Sequence, residues 1–228
     1  MLSKIFVIFC FASYWIVNKE HQKINAFEGT IQYSYLVTNS KNVRLPFPLI
    51  TERVFIDEDN ILFSPIDGVA AGKDIYLSKV KAKAYEIDHL NLSVKIFNQQ
   101  YLDVINPIEY KKSGNAFILN HKCEVFYLKY VHSLEYLKQF LASKSDTLTC
   151  IYYVPEDLRI PNLTHFSQLQ GNNNSLLLDG RFETIPLKVE IIRSSGIKII
   201  IQAEKIESKE VSEKFLLPLN YSFTKPED

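Results

Sequence analysis

The chain has 228 residues, with 26 basic and 26 acidic side chains and a formal charge of zero. That balance supplies no electrostatic footprint for nucleic acid, and 46% hydrophobic residues is too apolar for a disordered chain. The length suits one large domain with a real core, and only seven scattered glycines leave no phosphate-cradling loop.

The N-terminus is asymmetric. Lys4 precedes an apolar run over residues 5–17, "IFVIFCFASYWIV", whose length matches a signal-peptide core and falls short of the ~20 residues of a spanning helix. The polar "NKEHQK" follows, and Ala26 offers the small residue of a cleavage edge. Residues 1–26 are therefore expected to be a signal peptide, with an uncleaved anchor as the alternative, and residues 27–228 a single antiparallel β domain. Export places the mature chain in the periplasm or the medium. Membrane association is expected only through an uncleaved N-terminal segment. Cleavage removes Cys10 and leaves Cys123 and Cys150, an even number suited to an oxidising compartment.

From Phe27 onward the hydrophobic period is two. In "FEGTIQYSYLV" the residues Phe27, Ile31, Tyr33, Tyr35 and Val37 share one face, while Glu28, Thr30, Gln32 and Ser34 share the other. Similar runs follow in chain order: "TERVFID", "ILFSPI", "DIYLSKV", "KAYEID", "SVKIFN", "NAFIL", "CEVFYLKY", "LTCIYYV", "PLKVEIIR" and "IKIIIQAEKI". Turn residues separate many of them, and Ser194-Ser195-Gly196 divides the clearest hairpin. About eleven consecutive strands predict a mainly β fold: one large antiparallel sheet, curled into a half-barrel. One segment breaks the rhythm. In "HSLEYLKQFLAS" the residues Leu134, Leu137, Phe140 and Leu141 fall on one helical face, predicting a short helix around 133–143. The polar "QGNNNS" at residues 170–175 reads as a surface loop.

Chemistry-bearing patterns are sparse. His121, Cys123, His132 and Cys150 would be the donors of a zinc site, but His132 falls beyond the end of the strand and no Cys-x-x-Cys spacing occurs. No metal and no cofactor are expected. Cys123 and Cys150 lie on consecutive strands, where antiparallel pairing would allow a disulfide if the register sets them opposite each other. Two unpaired buried cysteines are the alternative. A nucleophile is disfavoured because Cys123 has Glu124 and aromatic neighbours rather than a base. There is no Gly-x-Ser-x-Gly turn and no His-Glu-x-x-His helix, so no catalytic residue is assigned and the expectation is a non-enzyme. The aromatic residues are more informative. Adjacent pairs such as Phe126-Tyr127 and Tyr152-Tyr153 put large side chains on both faces of the sheet. One face builds a core, and either face can carry cross-strand aromatic packing or an apolar ligand surface. By strand alternation Tyr33, Tyr35, Phe126 and Tyr152 are the candidate ligand-lining residues.

The stretches "AFEGTIQYSY", "NHKCEVFYLKY", "LTCIYYVPEDLRIPN", "IPLKVEI" and "IQAEKIESKEVSEKFLLP" resemble a family of secreted bacterial proteins built on a domain of unknown function. That family is thought to share the curled antiparallel sheet of the lipoprotein carriers LolA and LolB, and GLPGLI-family proteins are similar in segment order. The resemblance implies a LolA-like fold and an envelope protein that binds a lipid, a lipidated protein or another hydrophobic partner. It supplies no catalytic residues. A structural or protein-interaction module of the envelope, using a sheet edge or the Leu134–Leu141 helix face as its contact, is the alternative.

Overall fold

The computed structural model describes residues 26–47, 49–68, 70–97, 107–131, 147–160, 163–169 and 177–224. Within them lie twelve strands: β1 (Gly29–Thr38), β2 (Ile50–Ile56), β3 (Asn60–Pro65), β4 (Lys73–Ser78), β5 (Lys83–Asp88), β6 (Ser93–Phe97), β7 (Glu109–Ile118), β8 (His121–Val131), β9 (Thr147–Pro155), β10 (Lys188–Arg193), β11 (Lys198–Ser208) and β12 (Ser222–Thr224). One short helix, α1 (Leu163–Leu169), precedes β10. The eleven strands expected from alternation are all present. β12 is an addition, a three-residue strand too short to carry a period, and β7 begins earlier than its apolar half "NAFIL" indicates. The predicted helix around 133–143, the loop at 170–175 and nearly all of the N-terminal segment lie outside the described residues.

All twelve strands form one sheet in the order β12-β6-β5-β4-β3-β2-β1-β11-β10-β9-β8-β7. Two antiparallel meanders, β1–β6 and β7–β11, meet where β1 pairs with β11, and only β12 runs parallel to its neighbour. Short turns make this possible. At the β10–β11 hairpin Gly196 adopts φ 81°, a left-handed conformation that glycine reaches without strain. Its amide donates to the Arg193 carbonyl at 2.9 Å.

The sheet curls around a core on one face, here the inner face. Ile31, Tyr33, Val54, Ile61, Leu77 and Ala84 from the first meander share that core with Leu128, Cys150, Tyr152, Val189, Ile201 and Ala203 from the second. The described parts of the β9–β10 crossover cover it: Ile160, Leu163, Phe166, Leu177, Phe182 and Ile185 are all buried in the same core. The crossover is held close by Gly180, where a side chain would begin only 2.5 Å from Ser167 Oγ, and by the Thr164 hydroxyl donating to the Gly180 carbonyl. On the outer face of β3–β6 a second, smaller core contains Leu62, Tyr76, Tyr85, Val94, Val211 and Phe215. There the Tyr76 ring stacks with Tyr85 at 5.4 Å and with Phe215 at 6.0 Å.

Candidate functional site

Strand register brings three of the four candidate aromatics into one row across the inner face. Tyr35 lies opposite Ile201, Ile201 opposite Val189, Val189 opposite Tyr152, and Tyr152 opposite Phe126. Tyr33 stands two residues from Tyr35 on the same face of β1, opposite Ala203. The row is not uniformly open. Tyr33 is 0% and Tyr152 2% exposed, so both are core residues, whereas Tyr35 and Phe126 are half-buried. The Tyr33 hydroxyl donates to the Pro186 carbonyl at 3.0 Å, which satisfies a polar group that burial would otherwise leave at a cost. At the far end Phe182 of the crossover packs against Phe126 (5.2 Å) and Tyr152 (5.1 Å), and Tyr110 stacks on Phe126 at 5.8 Å. Tyr110 itself is 50% exposed, which leaves this end of the row reachable from solvent.

At the near end an ionisable group stands on the same face. Glu52 of β2 lies opposite Tyr33, and its Oε2 accepts a hydrogen bond from the Tyr35 hydroxyl at 2.5 Å. Burial pushes the Glu52 carboxyl up to about 7, with the Tyr35 hydrogen bond opposing. Desolvation also raises the Tyr33 and Tyr35 hydroxyls well above the usual phenol range, with the Glu52 charge adding to it. Among the described residues no cation pairs with Glu52. A half-buried carboxyl on an apolar face, tied to one tyrosine, can hold a proton or accept a hydrogen bond from a ligand's polar end.

A second polar group sits, half-buried, at the edge of the core. Arg181 donates from Nε to Asp179 Oδ1 at 2.8 Å and from Nη2 to Asp179 Oδ2 and the Tyr130 hydroxyl, both at 2.5 Å. Burial disfavours the Arg181 charge, but the Asp179 carboxylate outweighs it and holds the guanidinium protonated. This clamp fixes the crossover against β8 and offers no free donor set.

The cysteine expectation is corrected in part. Register places Cys123 opposite Pro155 and Cys150 opposite Leu128, five positions apart along the β8–β9 ladder. That separation is far beyond the reach of a disulfide, and both are free, fully buried thiols. Burial pushes Cys123 up to about 11 and Cys150 up to about 12, so neither is a thiolate near neutral pH. His121 sets its Nδ1 within hydrogen-bond distance of Asp157, at 2.8 Å, at the hairpin end of β8.

Sequence reasoning missed Glu52, although the signal was present: Glu52, Val54 and Ile56 share parity in "TERVFID", so a carboxyl falls on the buried face. Phe182 and the Asp179–Arg181 clamp lie in a segment without period, where only the tertiary fold reveals burial.

No family model matches the chain, and no curated protein matches it. Solved structures similar to it include PNGF-II (10% identity, TM-score 0.45), a LolA-superfamily protein from Nitrosomonas europaea (8%, 0.38) and the MucA/MucB complex of Pseudomonas aeruginosa (7%, 0.45). These matches cover 87%, 85% and 83% of this chain. They span 32% of PNGF-II, 91% of the LolA-superfamily protein and 56% of the matched chain in the MucA/MucB complex. Among the described residues no helix is long and apolar enough to cross a membrane.

Proposed function

We propose that this chain is an exported, non-enzymatic binding domain that holds a lipid, the acyl chain of a lipidated protein or another hydrophobic ligand against the inner face of its curled sheet. The observation that carries this reading is the continuous apolar row from Tyr35 to Phe126, which is sealed in the middle and half-open at both ends. Tyr35 and Phe126 are the contact residues, and Tyr33 and Tyr152 form the wall behind them. Glu52 and the Tyr35 hydroxyl supply a polar point where a ligand's head would be fixed, in keeping with pockets that are mostly apolar with a few placed polar groups. The apolar run at residues 5–17 supports an extracytoplasmic location, and no cofactor is needed for such a role. Native mass spectrometry of protein isolated without detergent tests the reading. A lipid adduct that disappears when Tyr35 and Phe126 are both changed to Asp is the expected result; a clean apo mass from several mild preparations overturns it.

A specific observation favours a second reading, an interaction module of the envelope. β7 is an edge strand of the sheet, and Tyr110 (50% exposed) and Phe117 (71% exposed) stand on it in contact with solvent. Open edges of this kind accept a strand from a partner. Crosslinking from β7 in intact cells distinguishes the two, because a carrier yields no dominant stable protein partner and a module does.

A further inference from the structure

The opposite face of β1 carries a different kind of site. The segment after β1 turns back as a short hairpin beside the end of the strand, and the return is tightly built. Asn39 Oδ1 accepts from the amides of Lys41 (2.9 Å) and Val43 (3.0 Å), and the Leu45 amide donates to the Val37 carbonyl at 2.8 Å. A single antiparallel bridge sets Arg44 beside Thr38. Asn42 accommodates the turn at φ 59°, in the left-handed region that asparagine tolerates. Between this loop and the strand lies a cleft of about 520 Å³, within the range of small-ligand pockets.

The lining of the cleft pairs opposite charges that do not satisfy each other. Arg44 stands on one side and Glu204 on the other, with Leu36 and Leu49 as apolar surface. Among the described residues the Arg44 side chain makes neither a hydrogen bond nor an ion pair, and Glu204 accepts from the Ser34 hydroxyl alone, at 2.6 Å to Oε1. The position of Glu204 is itself a built feature. Gln32 pairs with Lys205 and Tyr33 with Ala203, so Glu204 is the residue that a β-bulge leaves over. Bulges re-aim a side chain, and this one puts a carboxylate at the cleft. Thr38 also lines the cleft at 3% exposure, and its hydroxyl has no hydrogen-bond partner among the described residues.

We infer that this outer-face cleft binds a small zwitterion with an apolar body, of the class of an apolar amino acid or dipeptide, its carboxylate on Arg44 and its ammonium on Glu204. A guanidinium recognises a carboxylate with strong, directional hydrogen bonds, and a carboxylate does the same for an ammonium. Leu36 and Leu49 take the side chain. The site is independent of the inner-face reading, since it lies on the other side of the sheet.

The test is a titration of the mature protein with L-leucine and with leucyl-leucine, followed by backbone amide shifts. Saturable shifts at Ser34, Thr38 and Arg44 are expected with at least one of the two probes. Capping the carboxylate as an amide, or the ammonium as an acetyl group, should each weaken the binding probe about tenfold, the worth of one charge-assisted contact. Arg44→Gln should make the probe and its amide bind alike, and Glu204→Gln should make the probe and its acetylated form bind alike. Both side chains are exposed, so the variants should keep the wild-type melting temperature. No saturable shift with either probe, or binding that both substitutions leave unchanged, overturns the inference. A lipid adduct on the inner face would persist in either case.

Discussion

Two glutamates on opposite faces of the same sheet show how little the residue type decides. Glu190 of β10 lies on the outer face, with Lys188 Nζ at 2.7 Å, Lys198 Nζ at 3.2 Å and the Tyr153 hydroxyl donating at 3.1 Å. Burial works against its charge, but the two lysines prevail and hold the carboxyl below its ordinary value. Glu52 on the inner face has one tyrosine and, among the described residues, no cation, and burial drives its carboxyl up to about 7. A carboxylate that is desolvated and paired is a structural strut. One that is desolvated and unpaired costs stability, and a binding face is a place where such a cost is retained.

The contrast between the faces can be broken most strongly at β1. Tyr33→Ala empties a fully buried site and removes the hydrogen bond to Pro186, so a loss of about 3–5 kcal/mol is expected in urea unfolding. Ser34→Ala, one residue away on the outer face, should cost less than about 1 kcal/mol. Similar losses at both positions would mean that the two faces are not packed differently.

Glu52 gives the next largest effect, and its sign is distinctive. Below pH 4.5 the carboxyl is protonated in folded and unfolded chains alike. Between 4.5 and about 7 the unfolded chain has released its proton while the folded chain keeps it. The unfolded state then binds fewer protons, so the Glu52 contribution falls as pH rises through this window, by about 3 kcal/mol in total. Glu52→Gln should remove that slope and leave the variant more stable than the parent at pH 8, as read from paired urea titrations. Equal slopes in parent and variant would contradict the desolvation of Glu52.

Glu190 should behave in the opposite sense. Its folded value is lowered, so its stabilisation is present above the ordinary carboxyl range and is lost as pH falls through the lowered value. Lys188→Met leaves Lys198 in place and should cost about 1–2 kcal/mol near neutral pH, with the difference from the parent shrinking in acid. The smallest effect is expected at the thiols. Cys123 and Cys150 should resist a thiol reagent at pH 7 in the folded protein and react once it is unfolded in urea, with a mass that shows no disulfide between them.

The strands were legible in the sequence because an apolar or alternating run marks each of them except β12, whose three residues cannot show a period, and the polar first half of β7. The face assignment of β1 was equally legible, and Tyr33, Tyr35, Phe126 and Tyr152 do share one side of the sheet. Register was not legible. Nothing local in "CEVFYLKY" or "LTCIYYV" states that Cys150 meets Leu128 rather than Cys123, because pairing offset is set by the whole sheet. The cover over the inner face was also hidden. Ile160, Phe166, Leu177 and Phe182 are spaced without period, and their burial follows from docking of the crossover. That docking turns Tyr33 and Tyr152 into wall and leaves Tyr35 and Phe126 as the reachable aromatics.

If the inner face receives a hydrophobic ligand, alternating residues provide the ruler to measure it. Binding of a nitroxide-labelled fatty acid should broaden the methyl signals of Ile201 and Val189, on the inner face, far more than those of Ile200 and Ile151, on the outer face. Broadening that is equal on both sides of the sheet, or stronger at Ile200 and Ile151, would contradict it.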